Sequence, residues 1–427
     1  MRDEPVLIVG GTVVDATGSR RADVLVSRRV VAAVGNDLDA AATVLDAGGC
    51  VVAPGLVDLH THLRQPGREE AETVETGARA AALGGYTAVV AMPNTDPPID
   101  NASVVREVLD LGAKAVCDVR VAGAITKGRT GRELAPLGEM ADLGVRLFTD
   151  DGNGVQDARL MRRALEYASA LGVTLAQHCE DEALAAGGHM HEGSWSSRLG
   201  IPGVPAEAEE VMVARDIALS RLTGGRVHFL HLSTAGSVAA VRAAKAEGLP
   251  VTAEAAPHHF TFTDAVVASY DTVFKVNPPL RPAADVDAVK AGLADATIDA
   301  IATDHAPHAP EDKDVPFDDA RPGMLGLETA LAVALTELDL PIETVLALLS
   351  WQPARIAGLE PWHGGPVAEG RPANLCVIDP AATWVVDPAA LASRSRNTPY
   401  AGRKLTGRVR HTVLRGEPVV VNGEAQR

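Results

Sequence analysis

From Val6 to Val52 the chain runs in short valine-rich stretches broken by turns, VLIVGGTVVDATG, ADVLVSRRVVAAVG and VLDAGGCVVAPG, which predict β structure with little helix. After Leu56 the texture changes, and short apolar runs alternate with longer stretches rich in Ala, Leu and Glu. The strand LVDLHTH leads into the helical TVETGARAAALGG, and seven further runs follow: YTAVVAM, VRVAGAIT, GVRLFTD, VTLAQHC, RVHFLHL, VTAEAAPHH and IDAIATD. Eight strands, each followed by a helical segment, predict an α/β fold of the (β/α)8 barrel type, ending on a long helix pattern from Gly326 to Leu349. Beyond Pro366 the short β runs return in NLCVID, TWVVD and HTVLRGEPVVVNG. The two β-rich ends are expected to meet as one small β-sandwich domain, residues 1–55 with 366–427, beside a barrel of residues 56–365.

A parallel barrel strand is buried on both sides and should be apolar throughout, so imidazoles and carboxylates at its C-terminal end need another reason. Strand one ends in His60 and His62, strand four in Asp150 and Asp151, strand five in His178, strand six in His231 and strand eight in Asp304. Residues i and i+2 of a strand share a face, which sets His60 beside His62. Spacing alone does not define a site, because His189 and His191 in GGHMHEGSW repeat the HxH pattern after glycines, where a mobile loop is expected. The distinguishing feature is convergence, since all eight strand ends meet at the mouth of a barrel. Neighbours in a strand face opposite ways, so only one of Asp150 and Asp151 joins Asp304, and four imidazoles with two carboxylates are a ligand set for zinc, manganese or iron. Six ligands exceed one tetrahedral ion and suit two, bridged by a carboxylate, a pair able to activate water at neutral pH. The long segment APHAPEDKDVPFDDARPGMLG after strand eight is expected to lie over the mouth, carrying His308.

Charge narrows the partners. In 427 residues, 56 acidic against 39 basic side chains give a net charge of -17, which repels nucleic acid and anionic membranes. The opening MRDEPVLIVGG lacks the basic start of a signal peptide, and no uncharged apolar run is long enough to span a bilayer, so a cytoplasmic protein is expected. Cys50, Cys117, Cys179 and Cys376 show no CxxC spacing and are expected to stay reduced.

The runs DLHTHLRQPG, AMPNTDP, FTDDG, AQHCED, HLSTAG, TAEAAPHHF, VNPPLR, ATDHAPHAPEDK and GMLGLET, in this order and out to SRNTPYAG, resemble the successive motifs of the cyclic amidohydrolases. Specifically, they resemble the class I dihydroorotases, over nearly the whole chain. That resemblance implies reversible cyclisation of N-carbamoyl-L-aspartate to (S)-dihydroorotate in pyrimidine biosynthesis. It implies two Zn2+ ions per chain, bridged by Asp151 and a hydroxide. His60, His62 and Asp304 correspond to the ligands of the more buried metal, and His178 and His231 to those of the second. Asp304 also takes the general acid and base role. Substrate contacts fall to His62, Arg64, Asn94, Asn277 and His308, with backbone near Pro322 and Gly323. Gln65 and Pro322 depart from the family, which usually has glutamate at the first position and often an aromatic residue at the second.

As partners the resemblance implies a second copy of the chain and association with aspartate transcarbamoylase, for which some metal-free relatives are structural partners. Hydantoinases and allantoinases share the barrel and the HxH, but their bridging ligand is a carboxylated lysine at the end of strand four. This chain has TDDG there, and Lys127, which ends strand three, reads as a solvated loop residue.

Overall fold

The computed structural model describes residues 4–427, so Met1, Arg2 and Asp3 lie outside the described residues. The barrel strands are β1 (Leu56–Thr61), β2 (Tyr86–Ala91), β3 (Asp118–Val121), β4 (Leu147–Phe148), β5 (Thr174–Gln177), β6 (Val227–Phe229), β7 (Val251–Ala255) and β8 (Ala300–Ile301). They pair in parallel in chain order, β1 to β3 in one sheet and β4 to β8 in another. Two parallel bridges, Gly123 with Phe148 and Thr61 with His305, join the sheets and close the barrel. At the second seam the N–H of His62 donates to the carbonyl of His305 at 2.9 Å.

Alternation along β1 sorts structure from chemistry. Val57 and Leu59 join Ala354 of the helix Gln352–Ile356 and its C-cap residue Ala357 in one apolar cluster. Asp58, His60 and His62 therefore turn to the opposite face. Asp58 is fully buried and accepts from the N–H and hydroxyl of Thr303 at 2.8 and 2.7 Å. Burial pushes this carboxyl up to about 6, while its threonine donors pull the other way.

Helices cover the barrel where their capping residues start and stop them. The helix Ala158–Leu171 begins at Asp157, whose carboxylate accepts from the N–H of Leu160, and stops at the left-handed Gly172. The apolar run after Gly326 is not one long helix. It breaks between Ala330–Glu337 and Ile342–Leu346, because Pro341 lacks an N–H and its ring excludes a preceding helical turn.

The β structure of the two chain ends forms two packed sheets. One has the order Val30–Gly35, Asp23–Ser27, Val6–Val9, Thr43–Asp46. The other mixes both ends of the chain: Leu375–Val385 pairs with Val51–Pro54 on one side and Lys404–Leu414 on the other. NLCVID and TWVVD thus belong to one strand, with an irregularity between Asp379 and Thr383. Val6, Val24, Val52, Val377 and Val413 share the core between the sheets. The fold is a (β/α)8 barrel with a β-sandwich built from both chain ends. Beneath the barrel, His363 Nε2 lies 3.0 Å from Asp118 Oδ2 and its Nδ1 3.0 Å from the Thr87 hydroxyl, and Arg415 of the sandwich reaches the same aspartate. All four cysteines are free and buried.

Candidate metal centre

Five strand ends deliver the six side chains singled out in the sequence to one place. Asp151 is its hub: Oδ1 lies 3.4 Å from His60 Nε2, 3.6 Å from His178 Nδ1 and 3.7 Å from His231 Nε2, while Oδ2 lies 3.6 Å from His62 Nε2. Asp304 Oδ1 faces His62 Nε2 at 3.2 Å and His60 Nε2 at 3.5 Å. Ligand atoms about 2.0–2.1 Å from a tetrahedral ion stand about 3.3–3.4 Å apart, so these separations are those of groups sharing a cation. Among the described residues, two buried groups have that potential, His60 with His62 and Asp151, and Asp151 with His178 and His231. Asp304 adjoins the first.

The donor chemistry fits the same conclusion. Nε2 of His60 is buried without a hydrogen-bond partner. Its Nδ1 is 2.9 Å from Glu254 Oε1, and the other oxygen of Glu254 is 2.9 Å from His228 Nε2. With the proton held at Nδ1 by the carboxylate, the Nε2 lone pair is left to face the cluster. Burial alone would raise Glu254, but hydrogen bonds from His228 and His60 bring it down to about 2. His62 is oriented likewise by Asn94, whose Oδ1 is 2.8 Å from Nδ1. Glu254→Gln is expected to weaken divalent metal binding by about ten- to a hundredfold, measured by metal titration of the apoprotein; unchanged affinity would count against this support.

Backbone conformation at the centre is unusual. Arg64, His231 and Asp304 all have positive φ, at 61°, 30° and 45°. Such conformations persist where the surrounding structure over-determines them, and here three flank one cluster. The adjacent aspartate is turned away: Asp150 accepts from the N–H groups of Ile125 and Thr126 at 2.9 and 3.0 Å and from the Thr126 hydroxyl. It fastens the end of β4 to the loop after β3.

Above the cluster opens a cavity of about 390 Å³. His62, Arg64, Asn94, Asn277, His308, Pro322 and Gly323 all line it. Arg64 Nε donates to the Pro307 carbonyl at 3.0 Å, leaving the end of its guanidinium near His308. Burial lowers Arg64 to about 10, so it stays cationic at neutral pH. Burial and neighbouring cations, Arg64 foremost, bring His308 down to about 2, which keeps it neutral. Its Nε2 donates to the Pro322 carbonyl at 2.8 Å.

Some groups escape a reading of strand ends. Glu254 and His228 lie within strands rather than at their ends, yet a charged or imidazole side chain on a buried strand is the same signal. Arg68, Arg129 and Arg321 also line the cavity, and nothing in their sequence context separates them from solvated loop arginines. Asp312 joins two of them, at 2.7 Å from Arg68 and 3.0 Å from Arg321. Lys127 stays outside, paired with Glu133 at 2.6 Å on the surface.

The second HxH pair does not join the cluster. Met190–His191 forms a two-residue ladder with Gly203–Val204 in place of the loop expected there. Nδ1 of His189 accepts from Lys275 at 3.2 Å, and Nδ1 of His191 from Arg281 at 3.0 Å. Those two cations, remote in sequence, engage the segment's imidazoles, and main-chain bonds to Pro202 and Val204 add to the hold.

Comparison with known proteins gives a consistent answer. A sequence model described as dihydro-orotase-like matches residues 49–237. The chain is 51% identical to a dihydroorotase of Pelotomaculum thermopropionicum, covering 97% of this chain and 98% of that one. It is 53% identical to a dihydroorotase of Streptomyces coelicolor, over 95% of this chain and 97% of the relative. Among solved structures, the L-hydantoinase of Arthrobacter aurescens superposes with a TM-score of 0.89 at 26% identity, covering 99% of this chain and 98% of that one. No helix is long and apolar enough to cross a membrane, among the described residues. Half of all positions are shared with dihydroorotases end to end, and the chain belongs to the dihydroorotase family, metal-dependent hydrolases of cyclic amides.

Proposed function

We propose that the chain interconverts N-carbamoyl-L-aspartate and (S)-dihydroorotate, closing or opening one cyclic amide in pyrimidine synthesis, as a cytoplasmic homodimer. The observation that carries this reading is an aspartate, Asp151, at the hub of the cluster, with an arginine-lined cavity above it. His60, His62 and Asp304 would hold one Zn2+, His178 and His231 a second, and Asp151 would bridge them. When bound, such a pair would supply Lewis-acid polarisation of a carbonyl and a water acidic enough to be a nucleophile at neutral pH. Asp304 takes a proton from that water and returns it to the amide nitrogen as the C–N bond breaks, serving as base and then acid. Its Oδ1 faces the histidines, while its Oδ2 points toward His258 Nε2 at 3.9 Å, the oxygen less engaged and so the one to carry the proton.

Arg64 binds the substrate carboxylate, and Asn94, Asn277, His308 and the backbone at Pro322 and Gly323 shape its surroundings. Four arginines at one cavity of a protein with net charge -17 favour an anion locally. Association with aspartate transcarbamoylase remains compatible with an active centre, since every ligand position is filled. In an ultraviolet assay, dihydroorotate is expected to turn over faster than hydantoin or allantoin; the reverse order would overturn the substrate assignment. Arg64→Lys is expected to raise the KM for dihydroorotate while leaving metal content intact, because an ammonium cannot reproduce the paired hydrogen bonds of a guanidinium. Unchanged kinetics would mean the carboxylate is held elsewhere.

A further inference from the structure

Between the strands Leu375–Val385 and Lys404–Leu414 the chain leaves the sandwich and crosses to the barrel mouth. It is tied down along the way. Glu328 accepts from the N–H groups of Ala392 and Ser393 at 3.0 and 3.2 Å, Glu72 from the N–H of Arg394 at 3.0 Å, and the Ser395 hydroxyl donates to the Ala71 carbonyl at 2.7 Å. The strap ends its crossing at Asn397, which is 8% exposed and does not line the cavity.

Asn397 grips both ends of the loop that follows β8. Its Oδ1 accepts from the N–H of His308 at 3.2 Å, and its Nδ2 donates to the carbonyls of Ala306 at 3.0 Å and Gly323 at 3.1 Å. Its own carbonyl accepts from the N–H of Leu325 at 3.1 Å. One buried side chain thus satisfies three main-chain groups where the loop departs and where it returns. Between those ends His308 donates to Pro322, and Gly323 sits at φ 138° with no room for a side chain: a Cβ there would stand 2.7 Å from the Ala306 Cβ and 2.8 Å from His308 Nε2. Loop residues facing the substrate therefore share one support from behind the cavity wall.

We propose that Asn397 is a positioning residue for the substrate loop, setting substrate affinity through His308 and Gly323 without touching the reacting atoms. The proposal rests on the reading of those two residues as substrate contacts. Truncation leaves the three main-chain groups without their partner and lets the loop drift, while the cluster keeps its geometry, since His60, His62, Asp151, His178 and His231 come from other strands and Asp304 precedes the first gripped residue, Ala306.

The test uses the full, metal-loaded chain with Asn397→Ala, Asn397→Asp, His308→Ala and the double variant His308→Ala with Asn397→Ala. In Asn397→Ala the KM for dihydroorotate is expected to rise about tenfold or more, the scale of one or two lost net hydrogen bonds. Metal per chain and kcat are expected to stay near wild type. Asn397→Asp preserves volume and the bond from His308 but turns a carboxylate toward two carbonyls, so its KM is expected to rise at least as far. That variant separates lost donation from lost packing. In the double variant the KM is expected to rise by less than the product of the two single effects, because both changes act on one element. A normal KM in both Asn397 variants, additive effects in the double variant, or a fall in kcat that follows metal content would each overturn the proposal. A normal KM in His308→Ala would instead remove the substrate-contact reading beneath it, and the proposal with it.

Discussion

Asp304→Asn is expected to abolish turnover in both directions by more than about a hundredfold, the contribution of a positioned proton carrier. Asparagine has the same shape and tolerates the left-handed conformation at φ 45°, so the backbone of the β8 end is left as it was. Its carbonyl oxygen can still face His62, from which Asp304 Oδ1 now stands 3.2 Å. An amide, however, cannot accept a proton and return it at neutral pH. The expected result is thus metal near the wild-type amount with turnover gone, read by metal analysis and the dihydroorotate assay on one preparation. More than a tenth of the wild-type rate would place the proton transfer on another group.

Asp151→Ala is expected to be as severe by a different route. Removing the hub takes away the carboxylate that lies within 3.4 to 3.7 Å of all four histidines. Metal is expected to be lost, and activity with it. Asp150→Ala supplies the contrast, since it strands buried donors on Ile125 and Thr126 and is expected to cost about 1–3 kcal/mol of stability without emptying the site. Both variants are to be reconstituted with zinc in carbon-dioxide-free buffer. An aspartate is already a carboxylate, so wild-type activity is expected to follow metal content with bicarbonate making no difference. Activation by bicarbonate, or metal retained by Asp151→Ala, would sink the bridging role.

The alternation of short apolar runs with helical stretches made all eight barrel strands readable, because parallel strands must be apolar and their C-terminal ends are where that requirement lapses. His60, His178, His231 and Asp304 stood out for that reason. Glu254 did not, although it is itself fully buried, because a carboxylate one residue short of a strand's end does not stand out as a strand-end residue does. Asn397 was illegible for a deeper reason: it comes from another part of the fold, and nothing local ties it to His308. Sequence periodicity reports what an element does to its own neighbours, whereas Asn397 works across 89 residues of chain. The break at Pro341 was legible in principle, since the proline itself forbids the continuous helix that the apolar pattern invites.

The seam between β1 and β8 bears on how the protein comes to exist. His62 and Asp304 are 242 positions apart, and the bridge between Thr61 and His305 forms beside them. Joining such distant segments carries a large loop-closure entropy and places the contact late in assembly. A nascent chain offers a cation little beyond the local pair His60 and His62, and the six side chains of the cluster come together only when the barrel shuts. Metal that binds the closed ring far better than the open chain then acts as a latch on folding, favouring completed barrels by mass action. Cellular metal supply would accordingly govern how much of this protein is folded as well as how much is active.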